Sequence, residues 1–390
     1  MGYTAQAELV GLRMRVMPWT ESTRMSQRRE FVALAAERSV SVAELCRRFG
    51  ISRKTGYKWL TRDEFADRSR RPGNSPTRTA AAMEAEVVAL RRRHPVWGGR
   101  KLARRLCDLG YAPVPHPSTI THILRRHGLL QRPAPGEGGR YTRFEHPVPN
   151  ALWQIDFKGD FALREKRCYP LTVLDDHSRY AITLTACHTQ NRTEVQSALE
   201  TAFRRYGLPE RINADNGQPW GSPGAWHGLS GLTVWLIRLG VRVSFSAPAH
   251  PQTNGKDERF HRTLKAELLS GRVFADHAHA QGAFDTWRAV YNHERPHQAL
   301  ELAVPASRYR PSPRPYPETL PPIEYGDGDT VAIVKWDGRV RFRGKTWKVS
   351  KALKDLPVAF RPDPAIDGRF RVYFRHQEVA LFDSDDVAEK

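Results

Sequence analysis

The sequence predicts a multidomain chain. Two all-α helix-turn-helix modules stand in front, an α/β layer with a mixed sheet lies in the middle, and a small β-barrel ends it. Three observations predict this. Residues 26–130 carry apolar residues at helical spacing between short breaker-containing turns. From Leu152 the texture changes to short alternating runs interleaved with helical stretches, as an α/β layer requires. Past a proline-dense segment only short strand patterns with glycine turns remain. At 390 residues the chain is too long for one ordinary domain, and a hydrophobic share of 40% suffices for several cores.

The net charge is +20. Residues 1–149 hold 28 Lys and Arg against 13 Asp and Glu, whereas residues 150–390 hold 34 against 29. Such an excess does not fix a fold, but it favours a polyanionic partner, and it concentrates that role in the front third. The four cysteines, Cys46, Cys107, Cys168 and Cys187, form no CxxC pair, so neither a zinc ribbon nor a disulfide framework is indicated. No apolar run reaches membrane-spanning length and no apolar signal region opens the chain. A reducing cytoplasm without a membrane partner is the expectation.

Residues 1–25 read as a tail and 26–64 as the first module. Phe31, Leu34 and Ala35 give helical spacing, Ser41-Val-Ala-Glu44 is a capping-box pattern, and Gly50-Ile51-Ser52 makes the turn into a basic third helix. A recognition helix reads bases from its N-terminal end, so Arg53, Lys54, Thr55 and Lys58 are the candidate DNA-binding residues. A polar linker, 65–81, precedes a looser repeat of the theme at 82–130, where Ser118 is the expected cap of its last helix. Residues 131–149, rich in proline and glycine, form a second linker.

The α/β segment spans 150–310. WQIDF, CYPLTVLDD and YAITLTA read as strands, with Gln154 and Asp156 on the polar face of the first. An amphipathic helix over 193–206, the strand RINA, a helical stretch over 225–239 and the strand VRVSF follow. PSPRPYPETLPP, 311–322, holds six prolines in twelve residues and reads as a stiff spacer. Residues 323–383 are the expected barrel, and 384–390 an acidic tail.

Three carboxylates stand where mixed sheets place their sites. Asp156 lies on the first strand, Asp215 in an Asp-Asn-Gly turn after the fourth, and Glu258 at the start of a helix after the fifth. Each alone has an ordinary structural explanation. Converging, they would repel one another and call for a counter-charge. Oxygen-only ligands select Mg²⁺ or Mn²⁺, and two such ions suit phosphodiester displacement. Asp175 and Asp176 follow a strand expected beside the first and rank behind the three as further ligands.

The ordered set WQIDF, VLDDHSR, NADNG, HPQTNGKDERFHRTLK and YNHERPHQAL resembles the catalytic core of bacterial insertion-sequence transposases of the DDE class, relatives of retroviral integrases. The resemblance covers residues 26–310. It implies a ribonuclease-H-like core, a helix-turn-helix region that binds the element's terminal inverted repeats, joining to target DNA, and Asp156, Asp215 and Glu258 as the catalytic, metal-binding triad. It also implies a homo-oligomeric active complex on DNA in the bacterial nucleoid. Asn292, Arg295 and His297 fall in the marker that follows the triad and are read as structural or DNA-adjacent. The stretch between Asp215 and Glu258 is longer than in many relatives, and GQPWGSPGAWHG (217–228) is the expected insertion, a flap near the site. The chain lacks the His and Cys spacing of a retroviral zinc module. A domesticated copy that binds DNA without cutting is the alternative.

Within HPQTNGKDERFHRTLKAEL, Phe260, Leu264 and Leu268 mark the core face of a helix. Glu258 is about 200° from Phe260 at ~100° per residue and faces the cleft. His261, Arg262 and Lys265 share its side, a basic track with Arg262 and Lys265 as DNA-binding candidates. Asp257, rotated off that stripe, is expected to serve the helix N-terminus electrostatically, worth ~0.3–1 kcal/mol.

Overall fold

The computed structural model describes residues 23–68, 78–130, 145–221, 229–245 and 255–383. It divides into two compact units, Met1–Arg78 and Thr79–Lys390.

The first unit is a three-helix module: α1 (Arg24–Ala36), α2 (Val42–Arg48) and α3 (Arg53–Leu60). Each helix starts where a hydroxyl accepts a free backbone N–H, at Thr23, Ser41 and Ser52. Phe31, Leu45, Cys46 and Trp59 are buried between the helices. Gly56 sits inside α3 because a Cβ there would stand 2.5 Å from Cys46 Sγ and 3.0 Å from the Phe31 ring. The module thus accepts the helix-weakening cost of a glycine, about 1 kcal/mol, for close helix approach.

The second unit begins with α4 (Ala81–Arg93), α5 (Gly99–Asp108) and α6 (Pro117–Arg126) around Val87, Leu90, Trp97, Leu102, Leu106, Ile120, Ile123 and Leu124. The cap of α6 is His116, with Pro117 in the first turn, not Ser118; Ser118 donates its backbone N–H to the His116 ring. A proline needs no donor partner at that position, so the helix starts two residues earlier than the hydroxyl suggests.

The central sheet is mixed. Strand β1 (Trp153–Phe157) lies antiparallel to β3 (Arg167–Asp175) and parallel to β5 (Arg211–Ala214), which pairs in parallel with β6 (Arg242–Phe245). The short β2 (Phe161–Ala162) and the edge strand β4 (Ala181–Cys187) both pair with β3. One face is covered by α7 (Arg192–Tyr206) and α8 (Gly231–Arg238), through Val195, Leu199, Phe203, Leu232 and Trp235. The other is covered by α9 (Gly255–Leu264), its π-helical continuation Lys265–Leu269, and α10 (His277–His293), through Phe260, Leu264, Leu268, Phe284 and Trp287. Because both faces are covered, the polar side of WQIDF does not meet solvent uniformly: Gln154 is only 2% exposed.

Helix α10 also seals the sheet edge. Asn292 Nδ2 donates to the Ala181 carbonyl at 3.0 Å and its Oδ1 accepts from the Ala181 N–H at 2.8 Å. Arg288 donates to the Ile182 carbonyl, while Gln281 bonds Leu184 O and Ala186 N. Gln281, Arg288 and Asn292 recur at seven and four residues, so one helix face supplies the partners an edge strand otherwise leaves open. That is the role of Asn292 in the marker motif.

Segment 311–322 lies along the end of α7. Ser312 N donates to Tyr206 O, Leu208 N to Arg314 O, and the Arg314 guanidinium to Pro209 O and Gly240 O. Gly207, at φ +75°, has room for no Cβ: Arg314 O and Ser312 O would each be 2.7 Å away.

The C-terminal segment departs from the expected barrel. Strands β7 (Thr330–Ile333), β10 (Pro357–Pro362), β11 (Arg369–Phe374) and β12 (Gln377–Asp383) form one sheet in the order β12-β11-β10-β7. Strands β8 (Arg339–Phe342) and β9 (Lys345–Lys348) form a separate hairpin, so among the described residues no hydrogen-bonded ring closes. The hairpin instead lays its apolar side on the sheet, with Phe342 stacked on Phe360 at 3.9 Å and Trp347 on Phe382 at 4.7 Å. Face-to-face packing buries the same aromatic surface that closure would.

Residues 69–77 of the expected linker 65–81, 131–144 of the expected linker 131–149, and the acidic tail 384–390 lie outside the described residues, as do 222–228 of the insertion. Its described start is anchored, with Trp220 buried beside Phe157 at 5.9 Å.

Candidate active site

The register of the parallel pair β1–β5 sets Trp153 opposite Ile212 and Gln154 opposite Asn213. The same offset carries Asp156 level with Asp215 at the ends of neighbouring strands. Asp215 then enters its turn by accepting the Gly217 N–H at 2.9 Å, the local bond that makes Asp-Asn-Gly a tight corner. Glu258 is exposed in the first turn of α9. The three acids act on one another. Burial, then the Asp215 and Glu258 charges, pushes Asp156 up to about 6 against the Phe157 N–H, which lowers it. Among the described residues no three His, Cys, Asp or Glu side chains gather closely enough to hold a metal ion.

Helix α9 is held by its apolar stripe and by one charge. Phe260 meets Trp287 and Tyr291 edge-on at 5.5 and 4.9 Å. Lys256 forms an ion pair with Asp176, which is 1% exposed and also accepts Gln154 Nε2 and His146 N–H. Asp175 accepts the Asn150 N–H, the Ser178 N–H and the Ser178 hydroxyl. Both acids of VLDDHSR are thus committed to shaping the loop and pinning α9, not to a metal.

Asp257 is a correction. It is 3% exposed, not a surface residue of the first turn, and its Oδ1 has no hydrogen-bond partner among the described residues. Burial, with Asp156, Asp176 and Glu258 nearby, holds its pKa well above the usual carboxylate range. Spacing could have found it: Asp257 precedes Phe260 by three and Leu264 by seven, so it shares the apolar stripe. Because its folded pKa is raised, the native state holds the proton longer than the unfolded chain, and the penalty grows as pH rises above the ordinary carboxylate value. Asp257→Asn should therefore stabilise the protein by about 1–3 kcal/mol at pH 8. The gain should vanish near pH 4. Urea unfolding in EDTA at both pH values measures this; equal destabilisation at both would refute it.

His261 is a second correction. Thr172 donates its hydroxyl hydrogen to the Asp156 carbonyl at 2.9 Å, so its contact with His261 Nε2 at 2.8 Å requires Nε2–H to be the donor. Nδ1 then faces Asp156 Oδ2 at 3.9 Å. Burial, reinforced by Lys158, pulls the ring down to about 4, so it is neutral at pH 7 and contributes nothing to a basic track. Arg262 and Lys265 remain exposed on the helix beyond Glu258.

Marker residues past the triad brace this helix from behind. Arg295 Nε donates to Glu267 Oε1 at 2.8 Å, and Trp287 Nε1 donates to Glu267 Oε2 at 3.2 Å. His297 lies 3.4 Å from the Arg295 guanidinium and is driven well below its usual value by burial. None of this was legible from the motif alone.

In the separate first unit, Arg53, Lys54 and Lys58 are exposed on α3. Thr55 is committed to the cap, its hydroxyl 2.9 Å from Ser52 Oγ.

Residues 146–251 and 239–305 match the integrase core domain family, and 329–389 match the C-terminal domain of IS481 family transposases. Residues 27–73 match a helix-turn-helix domain and 55–124 a homeodomain-like domain. An uncharacterized 31.7 kDa protein of insertion element IS407 from Burkholderia multivorans is 32% identical over 41% of this chain, and the chain spans 55% of that relative's length. The putative transposase for insertion sequence element IS5376 of Geobacillus stearothermophilus is 22% identical over 89% of this chain and 85% of its own. The HTLV-2 integrase catalytic core domain in complex with magnesium aligns at 16% identity over 42% of this chain and 99% of its own, with a TM-score of 0.32. No helix among the described residues is long and apolar enough to cross a membrane. With helix-turn-helix, integrase-core and transposase C-terminal matches in one chain, the protein is similar to insertion-sequence transposases, and its integrase-core matches indicate an enzyme of the polynucleotidyl transferase class.

Proposed function

We propose that this chain binds the terminal inverted repeats of its element, cleaves the DNA there, and joins the freed 3′-hydroxyl to target DNA. The observation that carries this is the levelling of Asp156 with Asp215 on adjacent parallel strands, together with the upward pressure that Asp215 and Glu258 place on Asp156.

The donor set fits a hard divalent cation: it is all oxygen, and the Asp215 and Glu258 charges press upward on Asp156. Asp156, Asp215 and Glu258 would hold Mg²⁺ or Mn²⁺, two ions in this reading. Such ions would supply activation of the attacking oxygen and charge stabilisation on the leaving one. The chain's own residues do the rest. Arg262 and Lys265 receive the phosphodiester backbone along α9, and neutral His261 with Thr172 fixes the strand end that carries Asp156. In cleavage water's oxygen bonds to phosphorus as the 3′-oxygen leaves. In joining the 3′-hydroxyl attacks and one phosphodiester replaces another. An oligomer on DNA would bring two ends together. The test is incubation of purified protein with labelled element ends in Mg²⁺ or EDTA. End binding without nicking in Mg²⁺ would leave only a DNA-binding protein.

Base reading belongs to α3. Replacing Arg53 or Lys54 by Ala should cost about 1–3 kcal/mol of discrimination between cognate and scrambled ends. Fluorescence anisotropy on both duplexes decides it. Equal losses on both would mean phosphate contact and end the base-reading assignment.

A further inference from the structure

Helices α4 to α6 belong to the same compact unit as the catalytic sheet, and the seam between them is charged. Val290 of α10 packs against the α4–α6 core. Beside it Arg105 of α5 donates to Glu294 Oε2 at 2.5 Å. One turn earlier, half-buried Lys101 feels the charges of Arg295, Glu267 and Arg259, and desolvation first, then the two arginine charges, pulls it down to about 8. His94, at the end of α4, lies near Glu294 and Glu267 and is lowered by burial. Glu267 sits on the helical continuation of α9, roughly 13 Å past Glu258 at 1.5 Å per residue. On the side of this module away from its core, α6 exposes Ser118, His122 and Arg125.

An apolar seam tolerates sliding, whereas a guanidinium–carboxylate pair beside buried charges is satisfied in one orientation. We propose that this seam makes α4–α6 a fixed arm of the catalytic body: α6 contacts base pairs at a set distance from the scissile phosphate, and Arg105 with Glu294 is the positioning pair that determines which phosphate is cut. The inference rests on the DNA cleavage proposed above and adds a cause for its position.

The test uses full-length protein, a labelled end duplex, footprinting in EDTA and nucleotide-resolution mapping of cuts in Mg²⁺. Wild type should protect base pairs against α6 and cut one phosphate. When a single base pair is inserted between that footprint and the cut, cleavage should move to keep its distance from the footprint. R105E and E294R should bind ends about as well as wild type but cut the native phosphate about 10²-fold more slowly, with products at neighbouring phosphates. The double reversal R105E/E294R should regain the single position. Single reversals that cut the native phosphate at the wild-type rate, a double that stays scattered, no footprint assignable to α6, or cleavage that ignores the inserted pair would each overturn the inference while leaving the transposase reading in place. Wild-type binding with no cleavage anywhere would overturn both.

Discussion

Replacing Glu258 by Gln is expected to leave end binding intact and to remove both cleavage and strand joining. Glu258 is exposed at the start of α9, away from the stripe of Phe260, Leu264 and Leu268 that fixes the helix. The amide is isosteric, so packing and Lys256–Asp176 are untouched. What it loses is charge at the point where Asp156 registers the Asp215 and Glu258 carboxylates. A metal-bound carboxylate supports several kcal/mol of transition-state stabilisation, so the rate should fall at least about 10³-fold at 1.36 kcal/mol per decade. Asp257→Asn, one residue away, should keep most activity. Product mapping on labelled ends in Mg²⁺ settles the assignment. An active Glu258→Gln beside a dead Asp257→Asn would place the third ligand on the wrong residue.

Arg295→Ala is expected to unfold the second unit more readily than any change at Asp156, Asp215 or Glu258. Arg295 and Glu267 leave only 10% of each side chain exposed and meet at 2.8 Å. Removing one partner strands a buried charge, which costs about 3–5 kcal/mol. Trp287 still donates to Glu267, and Lys101 stands near it, so the lower end of that range is expected. Pairing Arg295→Met with Glu267→Gln removes both charges and should recover much of the loss. Urea unfolding of the four proteins gives the coupling directly. A loss under about 1 kcal/mol for Arg295→Ala would put the pair among the weak surface contacts.

The two substitutions probe residues of different visibility. Glu258 was legible because its position follows from neighbours within two turns: the apolar spacing of Phe260, Leu264 and Leu268 points one face inward and Glu258 away. That Asp156 stands on a strand and Asp215 in a tight turn was legible for a related reason, since alternation and turn chemistry are local. Arg295 was visible only as a marker. Its partner Glu267 is 28 residues earlier, and no local period announces a pairing across two helices.

Sequence by itself determined the element types, the front-loaded charge, the apolar stripe of α9 and the three acids at strand ends and helix start. These depend on periodicity and on residue chemistry read within a few positions. Tertiary structure alone decided the rest. It placed Asp257 inside, where burial and the Asp156 and Asp176 charges outweigh Lys256, and turned His261 from a cation into a neutral brace on Thr172. It assigned Asn292 to the backbone of β4 and left the C-terminal strands as sheet and hairpin. In each case the deciding energy is desolvation or pairing between groups distant in sequence. Such energies depend on what the folded chain brings within a few ångströms, and no window of sequence contains that.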